Sequence, residues 1–105
     1  MATPEGRVKA KVKRRLKAEF GKHCWSFMPV QTGYGSPALD FLLCVYGWFV
    51  AIETKAPGKK PTPLQETTIE LMRAAGAMVF VVDGDESLDH AIASIKAKPG
   101  VGGPA

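Results

Sequence analysis

Long apolar stretches are missing from this sequence: no run approaches the roughly 18 to 20 residues that a membrane span requires. Met1 is followed by polar residues rather than by the apolar segment of a secretory signal. Cysteine is scarce, and Cys24 and Cys44 lie far apart in apolar surroundings, which argues against a disulfide framework or a zinc site. We therefore expect an intracellular, cytoplasmic protein with no membrane partner and with reduced, buried thiols.

Size limits the chain to one domain, because 105 residues and 11.3 kDa leave no room for two. The apolar fraction of 46% and the charged fraction of 23% are ordinary for globular proteins, which argues against a wholly disordered or fibrous chain. The last residues are rich in glycine and proline and lack core side chains. We predict a single domain over residues 1–98 and a disordered tail over residues 99–105.

The net charge of +4 is unevenly distributed. Residues 1–22 carry eight basic and two acidic side chains, a local charge of +6, whereas the other 83 residues sum to −2. A dense basic stretch on a small domain is typical of a polyanion partner, most often nucleic acid. A lysine-rich, solvated helix face is the alternative interpretation. The eight basic residues are Arg7, Lys9, Lys11, Lys13, Arg14, Arg15, Lys17 and Lys22.

Helix and strand signals follow one another in the order αβββαβα. The first helix begins at Pro4, behind the cap residue Thr3, and ends at Gly21. Glu5 projects onto the centre of the apolar stripe of this helix, which calls for a reason; a solvated helix end would be one. The stripe consists of Val8, Val12, Leu16 and Phe20.

Apolar, β-branched and aromatic runs predict a mixed α/β sheet flanked by helices on both faces. Tyr46-Gly47 fits a tight turn, and the unit from Trp48 to Val82 predicts two parallel strands. A Thr62–Gln65 capping box opens the second helix, and Ser87 is the predicted cap of the last. The predicted strands cover residues 23–30, 39–45, 48–55 and 77–82. The predicted buried face of the second helix is Leu64, Thr68, Leu71, Met72 and Ala75.

The hairpin brings three charged residues together. Glu53 and Lys55 project from the same face of one strand, and pairing about the turn places Asp40 opposite Glu53. Buried charges are costly unless they are paired or bind a metal. Convergent carboxylates suit Mg²⁺ or Mn²⁺, which favours a phosphodiester-hydrolysing site. The alternative is a structural ion pair of Glu53 with Lys55 or Lys9.

Asp40, twelve intervening residues, then Glu53-Thr54-Lys55 on a hairpin resembles the PD-(D/E)XK nuclease pattern. The sequence is most similar to the VRR-NUC branch, whose glycine-rich approach to the aspartate is matched by residues 35–40. Gln65 at the start of the next helix and residues 74–77 before the last strand also match. One departure is that the family has proline directly before the aspartate, where this chain has Leu39.

The resemblance implies a restriction-endonuclease-like αβββαβ core with an extra C-terminal helix, and a Mg²⁺- or Mn²⁺-dependent endonuclease. Asp40, Glu53 and the Thr54 carbonyl would bind the metal, and Lys55 would activate or position water. Glu5 would complete the site. Gln65 would organise it beside the lysine, although a capping role for Gln65 is an equal alternative.

DNA is the implied partner, with branched substrates such as a four-way junction or flap favoured over a sequence-specific site, because no base-reading motif is present. Small free-standing relatives, of phage or bacterial type, act as homodimers, so we expect a homodimer in a bacterial or phage-infected cell. A non-catalytic nucleic-acid-binding module is the alternative function. The candidate DNA contacts are Lys9, Lys13, Tyr34, Lys59 and Lys60.

Overall fold

The computed structural model describes residues 2–30 and 38–103. The predicted glycine-rich turn, with Tyr34, lies outside these residues. Among the residues described, no helix combines the length and apolar character needed to cross a membrane. The elements are α1 (Pro4–Phe20), a short 3-10 helix (Gly21–His23), β1 (Cys24–Phe27), β2 (Phe41–Val45), β3 (Trp48–Thr54), α2 (Pro63–Ala74), β4 (Met78–Val82) and α3 (Asp85–Lys96).

The strands form one mixed sheet in the order β1-β2-β3-β4. β1 pairs with β2 and β2 with β3 in antiparallel fashion, whereas β3 and β4 are parallel, as the strand–helix–strand unit predicts. Tyr46 and Gly47 both have positive φ, 49° and 85°, which is the backbone of a two-residue hairpin turn whose twist matches that of the strands. This tight turn fixes the register that sets Asp40 against Glu53.

The larger core lies between the sheet and the helices α1 and α3. Thr3 caps α1 as predicted, by accepting a hydrogen bond from the Gly6 N–H. The predicted stripe of α1 is fully buried, so the four-residue period is confirmed. The buried residues of α3 also match the prediction; they are Leu88, Ala91, Ile92 and Ile95.

Helix α2 packs on the other face, and its predicted orientation is wrong. Ile69 and Met72 contact the small second core, while Leu64 and Leu71 are more than half exposed. Ile69, which does not belong to the predicted face, packs against Ala51 and Val79. This contact rotates the helix about its axis relative to the predicted orientation. Of the predicted buried face, the structure confirms Met72, which packs on the second core, and Thr68, which is buried.

Part of the sheet stays uncovered on the α2 side, contrary to the expected burial of both faces. Trp25, Cys44 and Phe49 are successive cross-strand neighbours on this face, and Trp25 is 68% exposed. Cys44 is therefore not the buried thiol that we expected. Cys24 is half-buried, and burial raises the pKa of its thiol.

Two end regions also differ from the predictions. Trp48 donates its indole N–H to the Pro99 carbonyl at 3.0 Å and Val101 packs on the core, so these two residues of the predicted tail contact the domain. Helix α3 begins at Asp85, ahead of Ser87. The Ser87 hydroxyl instead accepts a hydrogen bond from the Asp83 N–H, which fixes the turn before the helix.

Candidate active site

The hairpin sets two carboxylates side by side at the end of β2 and β3. The register pairs Phe41 with Ile52, which brings the preceding Asp40 to Glu53, and the Asp40 N–H donates to Glu53 Oε1 at 3.2 Å. Only 8% of Asp40 and 3% of Glu53 are exposed to solvent. The predicted convergence of these acids is confirmed in a nearly dry environment.

Thr54 fixes the Asp40 carboxylate in place. Asp40 Oδ2 accepts hydrogen bonds from the Thr54 N–H at 2.9 Å and from the Thr54 hydroxyl at 2.6 Å. Thr54 is fully buried, so these bonds are sheltered from competing water. The predicted role of Thr54 involves only its carbonyl, so this role of the hydroxyl is an addition from the structure.

Each carboxylate faces one lysine. Lys55 Nζ lies 3.6 Å from Glu53 Oε2, and Lys9 Nζ, reaching from α1, lies 3.5 Å from Asp40 Oδ1. Both distances exceed the approximately 2.7–3.2 Å of a well-formed N–H···O hydrogen bond. The lysines therefore balance the charge of the site without closing tightly on the acids.

Burial raises the pKa of Glu53 to about 7, and the neighbouring charge of Asp40 acts in the same direction. Lys55 and the Asp40 N–H oppose the shift without cancelling it. Near neutral pH the site therefore holds a carboxylate that ionises at a cost. An added cation would remove that cost, which is the electrostatic condition of a metal site or of a catalytic acid–base pair.

The donor set fits a hard divalent ion. Among residues 2–30 and 38–103 no three Asp, Glu, His or Cys side chains are grouped closely enough to hold a metal. Mg²⁺ nevertheless often binds through one or two carboxylates and completes its shell with water and substrate phosphate. Asp40 and Glu53 satisfy that requirement, and the Thr54 carbonyl remains a predicted third ligand.

Glu5 and Gln65 are the other predicted site residues. Glu5 is half-buried, and among the described residues it does not join Asp40 and Glu53 in a group of three acids able to hold a metal, so its role in the site remains a prediction. Gln65 Oε1 accepts the Thr62 N–H at 2.9 Å, which confirms the capping box. Any role of Gln65 beside Lys55 remains a prediction.

The predicted DNA contacts also fall in different places. Lys59 and Lys60 are exposed on the loop after β3, which Asp83 anchors by accepting the Gly58 N–H at 3.1 Å. Lys13 is exposed on α1. Lys9, predicted as a DNA contact or, in the alternative interpretation, as an ion-pair partner of Glu53, faces Asp40.

Fold and site together define a class: a small α/β domain with a four-stranded mixed sheet that carries a buried carboxylate pair and a lysine at a hairpin's end. Among solved structures the chain is similar to a "VRR_NUC domain", with 32% identity, a TM-score of 0.73, and 88% of this chain and 97% of that chain covered. The chain belongs to the VRR-NUC family and has its nuclease-family fold.

A second similar structure, a "VRR_NUC domain protein", is 19% identical with a TM-score of 0.65 and covers 91% of this chain and 88% of that chain. At this identity the similarity shows the fold alone. No family model matches the sequence, and neither does any curated protein. The restriction-endonuclease-like αβββαβ core and extra C-terminal helix are therefore confirmed by structure rather than by sequence comparison.

Proposed function

We propose that this protein is a Mg²⁺- or Mn²⁺-dependent endodeoxyribonuclease. The observation that carries the proposal is the pair of buried carboxylates, Asp40 and Glu53, with Lys55 beside them in a VRR-NUC fold. A buried acid with its pKa raised to about 7 is costly for stability and useful for chemistry. Family membership supports DNA as the partner.

Each residue has a separate role in the proposed reaction. Asp40, Glu53 and the Thr54 carbonyl would hold the metal, and Thr54 also keeps the Asp40 carboxylate oriented. When bound, the metal supplies Lewis acidity at the phosphoryl oxygen and lowers the pKa of water. Lys55, held to β4 by its N–H bond to the Val82 carbonyl, would position that water and stabilise developing charge.

Branched DNA, such as a four-way junction or a flap, is the proposed substrate. The exposed Lys59 and Lys60 directly follow the site and suit backbone phosphates, which carry no sequence information.

The proposed active form is a homodimer. The uncovered sheet face at Trp25 and Phe49 would pack on a second copy, and sedimentation of native and Trp25→Ser chains tests this; a monomeric native chain contradicts it.

A non-catalytic DNA-binding module is the second candidate. One observation favours it: all four carboxylate oxygens of Asp40 and Glu53 already face an N–H, hydroxyl or ammonium group. Each acid thus has partners in the protein itself, as in a structural ion-pair cluster. The two functions differ in whether the site cleaves DNA.

Cleavage assays separate these functions. End-labelled four-way junctions, flaps and linear duplexes are incubated with native protein, Asp40→Asn and Lys55→Ala in Mg²⁺ or Mn²⁺. Loss of a metal ligand or of the charge-stabilising lysine should slow cleavage by at least about 10²–10³-fold. Asp85→Asn and Lys11→Ala are matched controls, because these exposed residues pair with each other at 2.8 Å away from the site.

The native protein and both controls should cleave branched DNA at similar rates. Cleavage that survives Asp40→Asn and Lys55→Ala would overturn the catalytic assignment. A native protein that binds the junction and leaves it intact in both metals would establish the binding module instead.

A further inference from the structure

Five of the seven basic residues of α1 lie on two flanks with different surroundings, and the other two, Arg7 and Arg14, are exposed. On the flank facing α3, Arg15 pairs with Asp89 at 2.7 Å and with Glu19 at 3.3 Å, and Lys11 pairs with Asp85 at 2.8 Å. These acids neutralise the flank. A phosphate backbone approaching from the α3 side would meet carboxylates, so this flank is unsuited to DNA.

The opposite flank carries a row of lysines. Lys9, Lys13 and Lys17 recur every four residues and therefore align along one side of the helix. Lys13 and Lys17 are exposed, and no ion pair holds either of them within the residues described. Their row begins at Asp40, which Lys9 contacts, and runs away from the site toward the helix C-terminus.

A cleft of about 190 Å³ accompanies the row between α1 and β1. Lys13 and Lys17 line one wall, and Cys24 and Ser26 of β1 line the other. Lysines four residues apart rise by about 6 Å along a helix. This rise is comparable to the separation of neighbouring phosphates along an extended strand, so the cleft offers one cation per phosphate.

We propose that Lys9, Lys13 and Lys17 form a track that binds successive phosphates of one DNA strand and directs that strand to the Asp40–Glu53 site. The inference rests on the proposed function, since it takes DNA as the substrate. It adds a binding residue, Lys17, and a direction: the strand runs along the β1 flank of α1 and avoids the α3 flank.

Binding measured without cleavage tests the track. Fluorescence anisotropy of a labelled four-way junction in EDTA gives the affinity of native and Lys13→Gln/Lys17→Gln chains over a range of salt concentrations. The double variant should bind at least tenfold more weakly at low salt, and the salt slope should fall by about 1.4–1.8, the value for two lost phosphate contacts. Glutamine is a good helix former, so α1 should persist, and melting curves verify it.

Matched variants make the result specific. Lys11→Gln/Arg15→Gln removes the same charge from the same helix on the α3 flank and should leave the salt slope unchanged. Lys13→Arg/Lys17→Arg keeps the charge and should retain native affinity. Equal losses on both flanks, or an unchanged slope in Lys13→Gln/Lys17→Gln, would overturn the track. If Lys13→Gln/Lys17→Gln keeps the native salt slope while the native protein cleaves the junction, the track is refuted and the nuclease function stands. If the native protein binds the junction without cleaving it, and the variant loses affinity as expected, the nuclease function is refuted and the track stands.

Discussion

Two groups of ion pairs surround α1, and they differ in burial. At the site, Lys9 and Lys55 face the buried acids Asp40 and Glu53 at 3.5 and 3.6 Å. Along the α1–α3 seam, exposed carboxylates pair with basic residues, including Lys96 with Glu19. The same chemistry has opposite electrostatic consequences in the two regions.

The direction of the pKa shifts shows this difference. In the seam, Lys11 lowers the pKa of Asp85 and Lys96 lowers that of Glu19, because solvent keeps both carboxylates hydrated and the partners add attraction. At the site, desolvation outweighs the attraction of Lys55 and the pKa of Glu53 rises. Exposed pairs join helices, whereas the buried cluster stores an unfavourable charge that a ligand can relieve.

The largest expected effect concerns Glu53 and pH. Between its ordinary pKa of 4.5 and the folded value of about 7, the folded protein holds a proton that the unfolded chain has released. The free energy of unfolding should therefore fall as pH rises through this window, by about 3 kcal/mol for this group. Chemical denaturation of the native and Glu53→Gln chains in EDTA, repeated across this pH window, measures the fall in the free energy of unfolding. The Glu53→Gln chain should lack this fall, because its side chain has no proton to release.

Glu19→Gln is the matched control for this experiment. The pKa of Glu19 is lowered by its partner Lys96, so the stabilisation from its charge stays constant between pH 5 and 8 and is lost only as the pH falls below the ordinary pKa of glutamate. A native protein whose pH dependence matches that of Glu53→Gln would show that the buried acid is not destabilised.

An intermediate effect is expected at Thr54. Thr54→Val keeps the side-chain shape and removes the 2.6 Å hydroxyl bond to Asp40, which should lower the free energy of unfolding by about 1–3 kcal/mol. Thr67→Val removes an exposed hydroxyl bond to the Pro63 carbonyl and should cost much less. Equal denaturation midpoints for the two variants would contradict the structural role of the Thr54 hydroxyl.

The smallest effect is expected in the seam. Arg15→Gln removes two exposed pairs and should lower the melting temperature only slightly, and the difference should vanish near 1 M salt, where screening acts within about 3 Å. Lys17→Gln, on the other flank, provides the baseline. A large loss that persists in high salt would contradict the view that these pairs are weak.

Local periodicity made much of this structure predictable. The two-residue period of β3 and the register of a tight turn bring Asp40, Glu53 and Lys55 together without knowledge of the remaining fold. The four-residue stripe of α1 and the capping box of α2 follow from neighbouring residues alone. The nuclease-family fold was indicated by the order of these motifs.

Contacts between distant elements were not predictable in the same way. The rotation of α2 depends on how Ile69 fits over Ala51 and Val79, which sequence spacing does not specify. The contact of Lys9 with Asp40 depends on where α1 crosses the sheet, and spacing along the helix does not specify that crossing. The pairing of Arg15 with Asp89 of α3 likewise joins elements that are distant in sequence.

Titration calorimetry with Mn²⁺ in the absence of DNA tests the central claim, that the buried carboxylate pair is a metal site, most directly. Native protein and Asp85→Asn, which changes only an exposed seam acid, should bind Mn²⁺ with the same affinity. Glu53→Gln should lose this binding. Mn²⁺ binding by Glu53→Gln as tight as that of the native chain would contradict the account.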